Sequence, residues 1–275
     1  LPTYGSVGLL APFLLLLARM VQGLSAGGEA SGAGTYVAES APRRRRAFYA
    51  SGISGGALFG ALVASSFILA LRTWLPEESM EDWGWRVPFL VALPIGVIGW
   101  WIRKRLEESP QYATLREKGE VDRAPIATIV TVHRVPVIKT MGLALFPFAG
   151  YYVIYIYMPT YLVTVAGFDP LHAFWSSTVT LLVACASTPV FTLLSDRIGR
   201  KPVFVGACVA AVVVLLPAFQ VMNTGYLALA IAAQVVVALP HAAAQSIIVV
   251  SLTEQFPATV RYSGVSLGYN LASVL

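Results

Sequence analysis

The chain has 275 residues, 57% of them hydrophobic and only 12% charged, about half the charged share of an ordinary soluble domain. That excludes a soluble globule, because about half of a folded surface must face water and there are too few polar residues to cover it. The net charge of +5 from 19 Lys and Arg against 14 Asp and Glu is a topology signal before it is a nucleic-acid one, and no nucleic-acid partner is expected.

With 17 Pro and 23 Gly in so apolar a chain, membrane helices are expected rather than strands, and the alternating ten-residue segments of a transmembrane barrel are missing. In chain order, a remnant at residues 1–4 precedes seven complete spans at 9–38, 48–71, 87–102, 141–165, 173–194, 203–222 and 227–252. The start of another span follows Val265. The first residue is Leu and the last residues are apolar, so a piece of a longer chain is expected. Cys185 and Cys208 lie inside apolar runs, which suggests small packing residues and neither a disulfide framework nor a metal site.

Assigning alternate connections to opposite sides places 16 of the 19 basic residues on one side, which the positive-inside rule makes cytoplasmic. Trp74, Trp83 and Trp85 near span ends on the other side suit an interfacial belt. The longest connection, residues 103–139, is rich in charge and carries Pro110, Pro125 and Pro136. It reads as a cytoplasmic linker, largely a solvated tether, between an N-terminal bundle at 1–102 and a C-terminal bundle at 141–275.

The most specific feature is internal. Glu39-Ser-Ala-Pro42-Arg-Arg-Arg-Arg46 follows the first complete span, and Glu254-Gln-Phe-Pro257-Ala-Thr-Val-Arg261 follows the seventh. Both read Glu-x-x-Pro-x-x-x-Arg, both are cytoplasmic, and six spans separate them. Six is even and preserves orientation, which is the pattern of parallel six-helix repeats. Pro stops the helix, and Arg on the next turn can pair with a carboxylate from a neighbouring helix end. A simple positive-inside anchor accounts for Arg43 to Arg45 but not for the Glu and Pro positions.

A second cytoplasmic cluster, Asp196-Arg197-Ile198-Gly199-Arg200-Lys201, joins two spans through a tight turn that Gly199 permits. Asp-Arg-x-Gly-Arg-Lys resembles the loop motif of the major facilitator superfamily. Arg19-Met-Val-Gln22-Gly23, followed by Ala26-Gly-Gly-Glu29, is similar to the fourth helix of that family's metabolite:proton symporter branch, which includes proline/betaine and dicarboxylate carriers. Asp82-Trp-Gly-Trp-Arg-Val-Pro-Phe-Leu-Val-Ala-Leu-Pro94 and Leu106-Glu-Glu-Ser-Pro110 resemble the branch's sixth helix and its exit. The resemblance covers the whole chain, from the end of the family's third helix to the start of its eleventh. It implies an all-α, polytopic six-plus-six helix fold present in part, with helices one, two and twelve missing.

Charged side chains inside spans are costly, so Arg19 and Glu29 are functional candidates. Arg19 lies roughly 15 Å from the outer end of its span, near the midplane. Gln22 and Glu29 are seven apart and share one helix face, with Arg19 a turn from Gln22, beside a stripe of glycines suited to close packing. The resemblance implies a role for Arg19 in substrate or proton coupling; holding the bundle through helix carbonyls is the competing reading. In the seventh span Gln234, His241 and Gln245 fall on one face. His241 could titrate near neutral pH, although a buried neutral His satisfied by a carbonyl accounts for it better. Tyr151 and Tyr155 share a face and could cage a quaternary ammonium, while an outer aromatic belt explains many of the neighbouring tyrosines. Glu39, Arg46, Asp196, Arg197, Gly199, Arg200, Lys201, Glu254 and Arg261 form the expected cytoplasmic gate, with Asp196, Arg200, Glu254 and Arg261 in one network.

No Walker A, GxGxxG, HExxH or GxSxG pattern is present. No enzyme, cofactor or metal is expected, and an ATP-driven pump is disfavoured. The reading is a monomeric, multi-pass inner-membrane secondary transporter that carries a small zwitterionic osmolyte or organic acid by alternating access. The resemblance implies protons as the coupling ion. A transporter-like sensor that binds without translocating is the alternative. A seven-helix photoreceptor fails, because no lysine follows Lys201 to hold a retinal.

Overall fold

A computed structural model describes residues 4–105, 110–119 and 125–274. The remnant at 1–3 and the Leu106-Glu-Glu-Ser part of the exit motif lie outside the described residues. Within them every regular element is helical: α1 (Tyr4–Val7), α2 (Leu10–Ser40), α3 (Arg46–Trp74), α4 (Glu77–Asp82), α5 (Val87–Arg103), α6 (Pro110–Glu117), α7 (Pro125–Thr131), α8 (Arg134–Tyr151), α9 (Met158–Thr164), α10 (Pro170–Ile198), α11 (Arg200–Met222), α12 (Leu227–Thr253) and α13 (Arg261–Val274). In lipid a helix satisfies its backbone groups within the segment, which is why this composition takes this form.

Six stretches of the described residues are long and apolar enough to cross a membrane: Arg46–Trp74, Gly84–Ile102, Arg134–Thr164, Pro170–Ile198, Arg200–Met222 and Leu227–Thr253. They correspond to the second to seventh expected spans and run a few residues past them. The first expected span is α2. Its 31 residues reach about 46 Å at 1.5 Å per residue, but its apolar run is confined to Leu10–Gly23. The rest carries glycines, hydroxyls and Glu29.

α8 and α9 are one span joined by a π-helical segment, Tyr152–Tyr157. Pro159 in the first turn of α9 has no N–H to return to the preceding turn, and a π turn absorbs the mismatch by leaving a carbonyl free for another partner. Prolines also lie inside α5, α8, α10, α11 and α12, at Pro94, Pro147, Pro189, Pro217 and Pro240.

α12 is the centre of the packing, touching α2, α3, α8, α10, α11 and α13. Two-thirds of its apolar window is buried, against none of that of α5. Its buried face is rich in Ala230, Ala233, Ala238, Ala242 and Ala244; small residues let helices approach closely where lipid removes the hydrophobic drive between them. α5 carries cation–aromatic pairs at its ends, Arg86 over Trp85 at 4.3 Å and Lys104 over Trp100 at 3.8 Å, residue types that favour a membrane interface.

The linker is more than a solvated tether. α7 packs on α8 and α13, and its fully buried Ile129 joins Val137, Ile248, Leu252, Phe256, Val260 and Val265 in one apolar cluster. Ile129 is the buried anchor of α7, while Ile126 and Val130 stay exposed.

Candidate functional site

Both Glu-x-x-Pro-x-x-x-Arg copies and the Asp196 cluster meet at one end of the bundle. Arg261 starts α13, and its guanidinium reaches Glu39 at the end of α2 at 2.9 Å, with side chains 20% and 6% exposed. Its Nε also donates to the Phe256 carbonyl at 3.2 Å, which turns the head toward α2. A charge-assisted pair this shielded ties the end of α2 to the start of α13.

Asp196, near the end of α10, forms a second group. Its two carboxylate oxygens accept the backbone N–H groups of Ala47 and Phe48, each at 3.2 Å. α3 begins without a capping side chain of its own, so Asp196 supplies from α10 both the acceptors and the negative charge that a helix N-terminus favours. Arg200 braces it at 3.0 Å and reaches Glu254 at 3.5 Å. The sharp turn between them rests on Gly199, whose φ of +97° no other residue adopts without strain. Among the described residues the expected single network is therefore two groups, since Arg261 crosses to Glu39 while Arg200 holds Asp196 and Glu254.

Of the remaining members of the expected gate, Arg197 and Lys201 are exposed. Arg46 opens α3, and its buried Nε has no hydrogen-bond partner among the described residues.

Along the spans, Arg19 is exposed and donates to the Gln22 side chain at 2.9 Å. Glu29 is also exposed, two turns further along α2. An exposed guanidinium inside an apolar helical run is costly to place against lipid chains.

The C-terminal polar residues are placed differently. Gln234 and His241 are fully buried. Gln234 donates to the Ile154 carbonyl at 3.2 Å and accepts from Ser176. His241 Nε2 lies 2.9 Å from the Pro147 carbonyl, and Nδ1 lies 3.3 Å from the Tyr155 hydroxyl. Tyr155 is 5% exposed and packs against the tilted Tyr151 ring at 5.6 Å and edge-on against His241 at 5.3 Å. These side chains therefore hold the π-helical segment against α10 and α12. Gly150 leaves the room, since a Cβ there would sit 2.4 Å from the His241 ring.

A cavity of about 90 Å³ lies where α2 and α3 face α12 and α13. Its walls are mostly apolar, with Ile53, Ile248, Val249, Leu252 and Val265, and Ser31, Thr35, Ser54, Gln245, Thr253 and Tyr269 add a few polar groups. Sequence reasoning singled out only Gln245 among them, because hydroxyls scattered through apolar helices carry no periodic signal.

At the opposite end, Arg72 lies over Phe174 at 5.1 Å and shares a second pocket with Glu77, Glu81 and Asp169. No group of His, Cys, Asp and Glu that could hold a metal occurs among the described residues.

The sequence profile of the Major Facilitator Superfamily matches residues 3–275. The chain is 36% identical to the ectoine/proline transporter ProP of Corynebacterium glutamicum, an alignment covering 99% of this chain and 57% of that one. It is 31% identical to the proline/betaine transporter of Salmonella typhimurium over 100% of this chain and 57% of the relative. The fold matches the xylose transporter XylE of E. coli, solved in a partially occluded inward-open conformation, with a TM-score of 0.64 at 19% identity. That match covers 87% of this chain and 57% of the other. The chain thus spans a little over half the length of the curated relatives it matches.

Proposed function

The chain belongs to the major facilitator superfamily, and on that premise we propose that the protein is a proton-coupled secondary transporter of a small zwitterionic osmolyte, working by alternating access. The division is an N-terminal bundle at 1–102, a cytoplasmic linker at 103–140 and a C-terminal bundle at 141–275. The observation that carries this reading is the pair of contacts at the basic end, Glu39 with Arg261 and Asp196 with the start of α3. Each joins an N-terminal helix to a C-terminal one through charge, so rocking of the bundles makes or breaks them together. They form the inner gate.

Midway along the membrane, Arg19 holds the substrate carboxylate, with Gln22 orienting the guanidinium, and Glu29 takes up and releases the driving proton. Gln234, His241 and Tyr155 keep the π-helical segment in place and act on the site through it, while the half-buried Tyr151 supplies an aromatic face to a quaternary ammonium. The names of the relatives, carriers of proline, betaine and ectoine, support a zwitterion over a dicarboxylate.

The test is uptake by the full-length protein in proteoliposomes, with proline, glycine betaine, ectoine and a dicarboxylate as substrates, with and without an inward proton gradient. Zwitterion uptake stimulated by the gradient is expected, and gradient-independent or absent flux overturns the reading. Glu29→Gln should keep exchange but lose accumulation. Arg19→Gln should weaken binding by about 1.5 to 3 kcal/mol, as for a lost hydrogen bond to a charged group.

A further inference from the structure

A groove of about 590 Å³ opens at the basic end between α8, α11 and α12, beside the Arg200 that braces Asp196. Its size is that of a small-molecule site. Lys139, Arg200 and Lys201 line its rim, with Glu254 the carboxylate among them. Arg200 is engaged by Asp196 and Glu254. Lys139 and Lys201 are exposed, and neither has a carboxylate partner among the described residues. α11 starts here without a capping side chain, so the positive end of its dipole adds to the charge.

Below the rim the wall turns apolar. Leu143 is one turn beyond Lys139 along α8, and Phe204 and Val205 are one turn beyond Arg200 and Lys201 along α11. Both helices enter the membrane from this end, so charge lies at the boundary and hydrocarbon lies deeper, with Val205 half exposed. This is the amphipathic order of a phospholipid, and basic pockets between helices on the cytoplasmic side suit anionic headgroups.

We infer that this groove binds an anionic phospholipid of the cytoplasmic leaflet, its phosphate held by Lys139 and Lys201 and an acyl chain laid along Leu143, Phe204 and Val205. A soluble anion would use the rim alone and leave the apolar wall without a role. The inference does not depend on which substrate is carried.

The test uses the full-length protein, purified in detergent and stripped of lipid, and counts retained lipids by native mass spectrometry during titration with dioleoylphosphatidylglycerol or dioleoylphosphatidylcholine. The wild type should retain phosphatidylglycerol in preference to phosphatidylcholine. Lys139→Gln and Lys201→Gln should each weaken that binding about fivefold, and together roughly 30-fold, from the contribution of one basic side chain near an anionic lipid. Replacing both lysines by Arg should restore it. Lys104→Gln, which removes a cytoplasmic charge outside the groove, should leave it unchanged. Equal binding by the wild type and the double Gln variant overturns the inference, as does an equal loss in Lys104→Gln. Displacement of the lipid by millimolar inorganic phosphate would also overturn it, marking the rim as a soluble-anion site.

Discussion

The two Glu-x-x-Pro-x-x-x-Arg copies have the same residues at the same spacing and different fates. Glu39 is 6% exposed and bound to Arg261 of the other copy, whereas Glu254 is 43% exposed and loosely paired with Arg200 at 3.5 Å. The arginines differ as well: Arg261 bridges to α2, while Arg46 turns no charged contact toward Glu254 among the described residues. A repeat in sequence thus places equivalent groups at equivalent helix ends, but each group's partner depends on what the opposite bundle presents there. On one side the start of α13 meets Glu39; on the other the start of α3 meets Asp196, which takes its backbone N–H groups directly.

If shielding decides what each copy contributes, Arg261→Gln should have the largest effect. It removes the counter-charge of a buried carboxylate and should shift the gate toward inward-open by about 2 kcal/mol, roughly 30-fold. Labelling of a cysteine at Ser40 by an impermeant maleimide from the cytoplasmic side reads this as faster modification. The charge swap Glu39→Arg with Arg261→Glu should recover most of it, which a folding defect would not.

Asp196→Asn should come next, at about 1 to 2 kcal/mol, because Asn still accepts one backbone N–H but loses the charge that faces the start of α3 and Arg200. Hydrogen exchange at Ala47 and Phe48 should quicken about tenfold while exchange in the middle of α3 stays unchanged. Unaltered exchange at those two amides would remove Asp196 from the gate.

The smallest effect belongs to Glu254→Gln, since an exposed pair contributes less than about 1 kcal/mol. In the same maleimide assay it should change labelling by no more than a few-fold. A shift as large as that of Arg261→Gln would mean that Glu254 meets another partner in a second conformation, and that exposure does not rank the two copies.

Much of this architecture is legible in the residues. Apolar length marks the spans because a bilayer of fixed thickness demands it, and the basic loops mark their common side. α2 is also legible, as the span at 9–38, although its second half trades apolar residues for Gly, Ser and Glu29. The linker reads as solvent-exposed because its charges outnumber the few apolar positions of α7, and only the pocket formed by Ile248, Leu252 and Val265 shows that Ile129 has somewhere to dock. In the site, Arg19 and Glu29 stand out because a charge in a span is rare, while Ser31, Thr35 and Ser54 do not.

By itself the sequence marked the order of the apolar spans, the family, and which helix ends carry charge, since each follows from local hydropathy, charge and short-range spacing. The tertiary structure decided the pairings. Whether His241 faces a pathway or a carbonyl, whether Arg261 meets Glu254 or Glu39, and which backbone ends Asp196 caps all depend on groups dozens to hundreds of residues away. Such contacts are fixed by how the bundles dock, because a side chain of a few ångströms reaches only what packing brings beside it.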